Sequence, residues 1–123
     1  MTINSTVDVK TSELIFGALD WVVAKVVGET LTGDSAINYP ILIGAGTDGD
    51  LQRPFSPSTS WDDVGPLIEK YRISIDYNDA RWAASTRGWL MAEYGMTPLI
   101  AVCRAIVAAK FGDVVTIDAR LIN

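Results

Sequence analysis

Apolar side chains recur at helical spacing near the beginning of the chain. These positions are Leu14, Ile15, Ala18, Leu19, Val22, Val23 and Val26. Thr11 or Ser12 precedes them with a side-chain oxygen that suits a helix N-cap, and Gly28 suits the left-handed residue that often ends a helix. The pattern therefore predicts a first helix over residues 12–27.

A second helical pattern lies near the end of the chain. Its apolar positions are Leu99, Ile100, Cys103, Ile106 and Val107. Thr97 is a suitable N-cap, Pro98 fits the first helical position, and Gly112 is a suitable terminating residue. The pattern predicts a helix from Pro98 to Lys110, and it places Cys103 on the buried face as an unreactive thiol.

Strand patterns occupy the region between these two helices. Residues 73–77 alternate between apolar and polar side chains, which is typical of a half-buried strand. The Asn-Asp pair at 78–79 favours a turn, so residues 82–86 are predicted to return as the second strand of a hairpin. Residues 89–94 are candidates for a third strand, and residues 114–117 for a last strand or an extended tail.

A shorter helix completes the predicted set of elements. Ser60 resembles an N-cap and Pro66 suits the first helical position, which together indicate a short helix over 61–71. Residues 41–43 are a short apolar run that favours a strand. We therefore expect one α+β domain over residues 1–123, in which the N- and C-terminal helices pack on a small, mainly antiparallel sheet.

The segment from Glu29 to Asp63 differs from the rest of the chain in charge. It contains six acidic residues and one basic residue, Arg53, whereas the remainder contains nine of each sign. The segment therefore has a net charge of −5, which is the net charge of the whole chain. Four glycines and three prolines lie within it, so we expect an irregular, acidic, Gly-rich loop at about residues 29–58.

One motif in this loop resembles a dinucleotide-binding fingerprint. Gly44 to Gly49 matches G-x-G-x-x-G, but that site needs a helix that begins at the third glycine. Pro54 follows too closely for such a helix, and Asp48 and Asp50 repel phosphate. The same aspartates lack the further oxygen ligands and the closing glutamate of a calcium loop. We interpret the motif as a flexible, solvated turn.

Composition excludes several classes of chemistry. The chain has 123 residues, no histidine and one cysteine, which excludes Ser-His-Asp triads, Cys-His dyads, His-ligated zinc and cysteine-cluster metal sites. A net charge of −5 argues against direct binding of nucleic acid. No signal-peptide pattern or membrane-length apolar stretch is present, so we expect a cytoplasmic protein without catalytic residues, cofactor or metal.

Candidate partner-binding residues lie where an aromatic group and acidic groups coincide. Trp61 is flanked by polar residues and is the best exposed anchor, while Asp62 and Asp63 attract a basic partner. Arg104 interrupts the apolar stripe of the C-terminal helix. Its stem covers a sheet edge, or its guanidinium pairs with the acidic loop or with a partner's carboxylate. The complete set of candidates is Phe55, Ser58, Trp61, Asp62, Asp63 and Arg104.

Several blocks of sequence resemble the NinX-like family, small proteins of tailed phages and prophages. The blocks are 10–14, 17–21, 24–25, 55–61, 65–69, 82–84, 97–101, 103–104, 107–108 and 110–113. The resemblance implies a phage or prophage origin and a phage-type α+β domain with a sheet between helices. Residues 29–50 depart from the family pattern. The resemblance implies no catalytic residue.

Three functions fit these observations to different degrees. The preferred interpretation is a non-enzymatic phage accessory protein that binds a host or phage protein. One alternative is a DNA-mimicking inhibitor of a nucleic-acid enzyme, although the negative charge is confined to one segment. Another is a small hydrolase that uses Asp62, Asp63 or Glu69 with a divalent metal. A helix N-terminus, however, explains the first two carboxylates without any chemistry.

Overall fold

The computed structural model describes residues 5–28, 41–42, 53–86, 88 and 91–122. In chain order, its elements are β1 (Thr6–Lys10), α1 (Phe16–Val27), β2 (Ile41–Leu42), β3 (Arg53–Pro54), α2 (Trp61–Tyr71), β4 (Ser74–Asn78), β5 (Arg81–Ser85), β6 (Glu93–Gly95), α3 (Pro98–Phe111) and β7 (Val114–Asp118). Helices and small antiparallel sheets confirm the predicted α+β class. Most of the predicted acidic loop at 29–58 lies outside the described residues, and so does the glycine motif at 44–49.

Within the described residues the strands pair in small antiparallel ladders. The ladders are β1–β7, β2–β3 and β4–β5–β6, and all of the pairs are antiparallel. The predicted hairpin at 73–86 is confirmed as β4 and β5, with Asp79 and Ala80 in left-handed conformations at its turn. The predicted third strand is shorter than expected, and it pairs with β5 as β6.

The sequence pattern does not predict that β1 pairs with β7. β1 runs antiparallel to β7, with Val7 opposite Ile117 and Val9 opposite Val115. Val115 and Ile117 are buried, and the two valines of β1 pack against the same core. Apolar and polar residues alternate over residues 6–10, which is the sequence signal for β1. Residues 114–117, predicted as a strand or an extended tail, form a strand as part of β7.

The first helix begins later than its apolar pattern predicts. Residues Thr11–Glu13 form a 3₁₀ turn, and the α-helix begins at Phe16. Thr11 is buried and does not cap the helix; its backbone N–H donates to Asp113 O at 2.8 Å and its Oγ1 donates to Gly112 O at 2.7 Å. The residue thus links the start of the chain to the end of α3. At the other end, Gly28 terminates α1 in a left-handed conformation, as predicted.

Helix α3 lies at the centre of the hydrophobic core. Thr97 caps it by accepting the Ile100 N–H at 3.1 Å, and Pro98 occupies the first turn, both as predicted. Eight consecutive or near-consecutive residues between Leu99 and Val107 are buried, including Cys103. Burial raises the pKa of the Cys103 thiol well above its usual value, which agrees with the prediction of an unreactive thiol. α1, α2, β5 and β6 all contact this helix.

The predicted helix over 61–71 is confirmed as α2, with a different role for its proline. Pro66 lies in the interior of α2 and not at its first position. Val64 and Leu67 are buried between α2 and the rest of the core. None of the described helices is long and apolar enough to cross a membrane.

Candidate partner-binding site

An exposed aromatic side chain marks the beginning of α2. Trp61 is the first residue of the helix, and 56% of its surface is exposed. Ser60 is the N-cap residue, but its contribution is made by the backbone: Ser60 O accepts the N–H groups of Asp63 and Val64 at 3.2 and 3.1 Å. Asp62 is also exposed, and its negative charge suits the helix N-terminus. We refer to these two adjacent side chains as the Trp61–Asp62 surface.

Asp63 does not extend this exposed surface, in contrast to the role the sequence suggested. Its side chain is buried, and Oδ2 accepts the backbone N–H of Ser56 at 2.9 Å. The carboxylate therefore holds the segment that precedes α2. A buried carboxylate requires hydrogen-bond donors, and the Ser56 N–H supplies one of them.

Asp20 is a second buried carboxylate at the same segment, and it was not among the residues that the sequence pattern predicted for the site. Only 4% of the residue is exposed, and Oδ1 accepts the Ser58 N–H at 2.7 Å. Burial raises the pKa of Asp20 to about 6; hydrogen bonding from Ser58 opposes the rise, and the charge of Asp63 adds to it. The available signal was the position of Asp20 on α1, three and four residues before the buried Val23 and Ala24.

The segment 55–60 is therefore held between α1 and α2. Asp20 on α1 and Asp63 on α2 each accept one of its backbone N–H groups. Ser56 O accepts the N–H groups of Thr59 and Ser60 at 3.0 and 2.9 Å, which closes a compact turn. These bonds fix the chain immediately before Trp61.

The side chains of Phe55 and Ser58 are buried and are not part of the Trp61–Asp62 surface. Phe55 is buried in the hydrophobic core, and Ser58 is buried beside Asp20. Neither side chain therefore lies on the exposed surface that Trp61 and Asp62 form, and a role of the two residues in partner binding stays a prediction.

Arg104 lies elsewhere, among the N-terminal segment, β6 and α3. Its Nε donates to Leu14 O at 2.9 Å and its Nη1 donates to Tyr94 O at 2.7 Å. Tyr94 is in the edge strand β6, so the predicted cover of a sheet edge is present, with the guanidinium bonded to two carbonyls. Partial burial lowers the pKa of Arg104 from its usual value, and the charge of Glu93 opposes this.

No cluster of three or more His, Cys, Asp or Glu side chains that could hold a metal occurs within the described ranges. Asp62 is exposed while Asp63 is bonded to Ser56, so the pair does not converge on one point. What the arrangement does provide is an exposed indole beside an exposed acidic side chain, at the end of a hydrogen-bonded segment.

The described elements form a small α+β arrangement with an exposed aromatic side chain at the N-terminus of α2. Residues 10–110 match the family model described as Bacteriophage P22, NinX. The match spans most of the chain, so the protein belongs to the phage NinX family, and membership indicates a phage accessory protein. No curated protein matches the chain.

Proposed function

We propose that the protein is a non-enzymatic accessory protein that binds a host or phage protein through the Trp61–Asp62 surface. The observation that supports this most strongly is the exposure of Trp61, a large apolar side chain that ordinarily gains stability by burial. Tryptophan is among the residues that contribute most to protein interfaces. An exposed indole at the start of a well-packed helix is therefore a good anchor for a partner.

The support beneath Trp61 strengthens the proposal. Asp20 and Asp63 hold segment 55–60 against two helices, and Val64 buries the next turn of α2 in the core. A fixed anchor loses little conformational freedom when a partner binds, which reduces the entropic cost of association. Asp62 adds a negative charge at the same place and favours a partner with a basic surface.

A DNA-mimicking inhibitor would bind its target mainly through negative charge, whereas the proposed surface binds mainly through an apolar side chain. A mimic of a phosphate backbone requires negative groups spread over a broad face, and its binding weakens steeply with salt. Trp61 instead supplies an apolar contact that salt does not screen. Binding that persists at about 0.5 M salt favours the protein-binding proposal over the mimic.

Affinity purification with matched variants tests the proposed surface. Tagged protein is expressed in cells that carry the phage, and its partners are quantified for native, Trp61→Ala and Tyr77→Ala proteins. Tyr77 is the control because it is an aromatic residue with 57% exposure on β4. We expect Trp61→Ala to weaken capture of a stoichiometric partner by roughly 2 kcal/mol, or about thirtyfold, and Tyr77→Ala to leave it nearly unchanged. Equal capture by all three proteins would contradict the proposal.

A further inference from the structure

A groove beside β6 shares no residue with the Trp61–Asp62 surface. It has a volume of about 280 Å³ and is lined by Ala80, Arg81, Tyr94, Gly95, Met96 and Arg104. Met96 is 76% exposed, and the Tyr94 side chain is also exposed. Two large, partly apolar side chains thus lie at the rim of a shallow, open groove.

The groove has a fixed floor. A Cβ atom on Gly95 would lie 2.8 Å from both Ala101 N and Ile100 Cγ2, so β6 packs directly on the beginning of α3. Arg104 joins Leu14 O and Tyr94 O through its Nε and Nη1 atoms. Packing and hydrogen bonds therefore hold the lining in place before any ligand arrives, which lowers the cost of binding.

The charge of the lining is positive although the chain as a whole is acidic. Arg81 and Arg104 line the groove, and no carboxylate does. The Arg81 guanidinium stacks on the Tyr94 ring, with Cζ 3.6 Å from the ring centroid. Within the described part of the chain, Arg81 has no ion pair and Arg104 Nη2 has no hydrogen bond. Glu93 on the same strand lines two other cavities, and its carboxylate offsets part of the positive charge of Arg104, so Arg81 contributes most of the positive charge of the lining.

We propose that this groove binds an acidic segment of a protein partner. A carboxylate of the segment pairs with Arg81 and with the open side of the Arg104 guanidinium, because arginine presents several donors in a planar fork that matches a carboxylate. A neighbouring apolar side chain of the segment packs on Met96 and Tyr94. Charge complementarity selects an acidic segment over a basic one, since two arginines repel the latter.

Peptide binding to the full-length protein tests this inference independently of the Trp61–Asp62 surface. The probe is a fluorescein-labelled dodecapeptide of repeated Asp-Phe-Glu, and its control has lysine in place of each acidic residue. Fluorescence anisotropy at low salt is expected to show at least about tenfold tighter binding of the acidic peptide. Arg81→Glu and Met96→Asp should each weaken that binding about tenfold or more.

Matched variants distinguish binding in the groove from a general effect of the protein's net charge. Lys110→Glu makes the same charge change as Arg81→Glu at an exposed residue outside the lining, and it should leave binding nearly unchanged. Trp61→Ala should also leave it unchanged. Thermal melts confirm that each variant is folded. The proposal is overturned by equal affinity for both peptides, by equal effects of Arg81→Glu and Lys110→Glu, or by loss of binding in Trp61→Ala.

Discussion

Asp20 shows how a single residue supports the proposed surface from the interior. Its carboxylate is buried on α1 and accepts the Ser58 N–H from a segment that is distant along the chain. Ionising this group in the interior is costly, which is why its pKa rises to about 6 from the ordinary value of 3.8. The stability that the protonated carboxyl contributes is fully present below pH 3.8, and it is lost as the pH rises through about 6.

Replacing Asp20 by Asn tests this electrostatic cost. Asn keeps an oxygen acceptor for Ser58 at nearly the same volume and removes the charge. At about pH 7.5 the variant should gain on the order of 2 kcal/mol in stability relative to the native protein, and this advantage should disappear towards about pH 4. Urea unfolding of both proteins across this range measures the difference. If the difference in unfolding free energy between the two proteins did not change with pH, burial of the Asp20 charge would not be its cause, because an uncharged contact does not titrate.

At the scale of elements, α2 and α3 begin in different ways. Thr97 caps α3 through its side chain, which accepts the Ile100 N–H at 3.1 Å. Ser60 occupies the same position in α2, but only its backbone carbonyl serves the helix there. Similar residues at the two N-caps therefore make unequal contributions to stability.

Two alanine substitutions compare these N-caps directly. Thr97→Ala removes a hydrogen-bond acceptor from the helix N-terminus and should lower the free energy of unfolding by about 1 kcal/mol. Ser60→Ala removes no such bond and should cost less than about 0.5 kcal/mol. Chemical denaturation of both variants measures the difference. The assigned cap geometry is wrong if Ser60→Ala is the more destabilising of the two.

The same elements show what the sequence can predict about this fold. Thr97 and Pro98 stand at the beginning of α3 and Gly112 directly follows its last residue, so local chemistry defines both ends of this helix. The start of α1 is set by contacts that local chemistry does not encode, because Thr11 bonds to Gly112 and Asp113 at the far end of the chain. Asp20 was missed for the same reason: only tertiary packing brings it to Ser58. The exposure of Trp61 was predictable because polar residues flank it and it belongs to no apolar stripe.

At the scale of the whole molecule, the strands β1 and β7 and the helices α1, α2 and α3 contribute to one connected core. β1 and β7 pair along their length, and Thr11 joins the first segment to the end of α3. The core includes residues from α1, α2, α3, β5 and β7, with Phe55 below the turn that precedes α2. The surface at the start of α2 is therefore an external part of a continuous scaffold, on which a partner can bind without disrupting the fold.

A comparison of Trp61→Ala with Leu99→Ala tests most directly whether Trp61 is a surface anchor. Leu99 is buried in α3, and its truncation should open a cavity that costs about 2–5 kcal/mol of the free energy of unfolding. Trp61 is more than half exposed, so its truncation should cost less than about 1 kcal/mol. Equilibrium unfolding in urea measures both losses under one set of conditions. We expect Trp61→Ala to lower the free energy of unfolding slightly and Leu99→Ala to lower it strongly. Equal losses would show that Trp61 is a core residue and would contradict its role as a surface anchor.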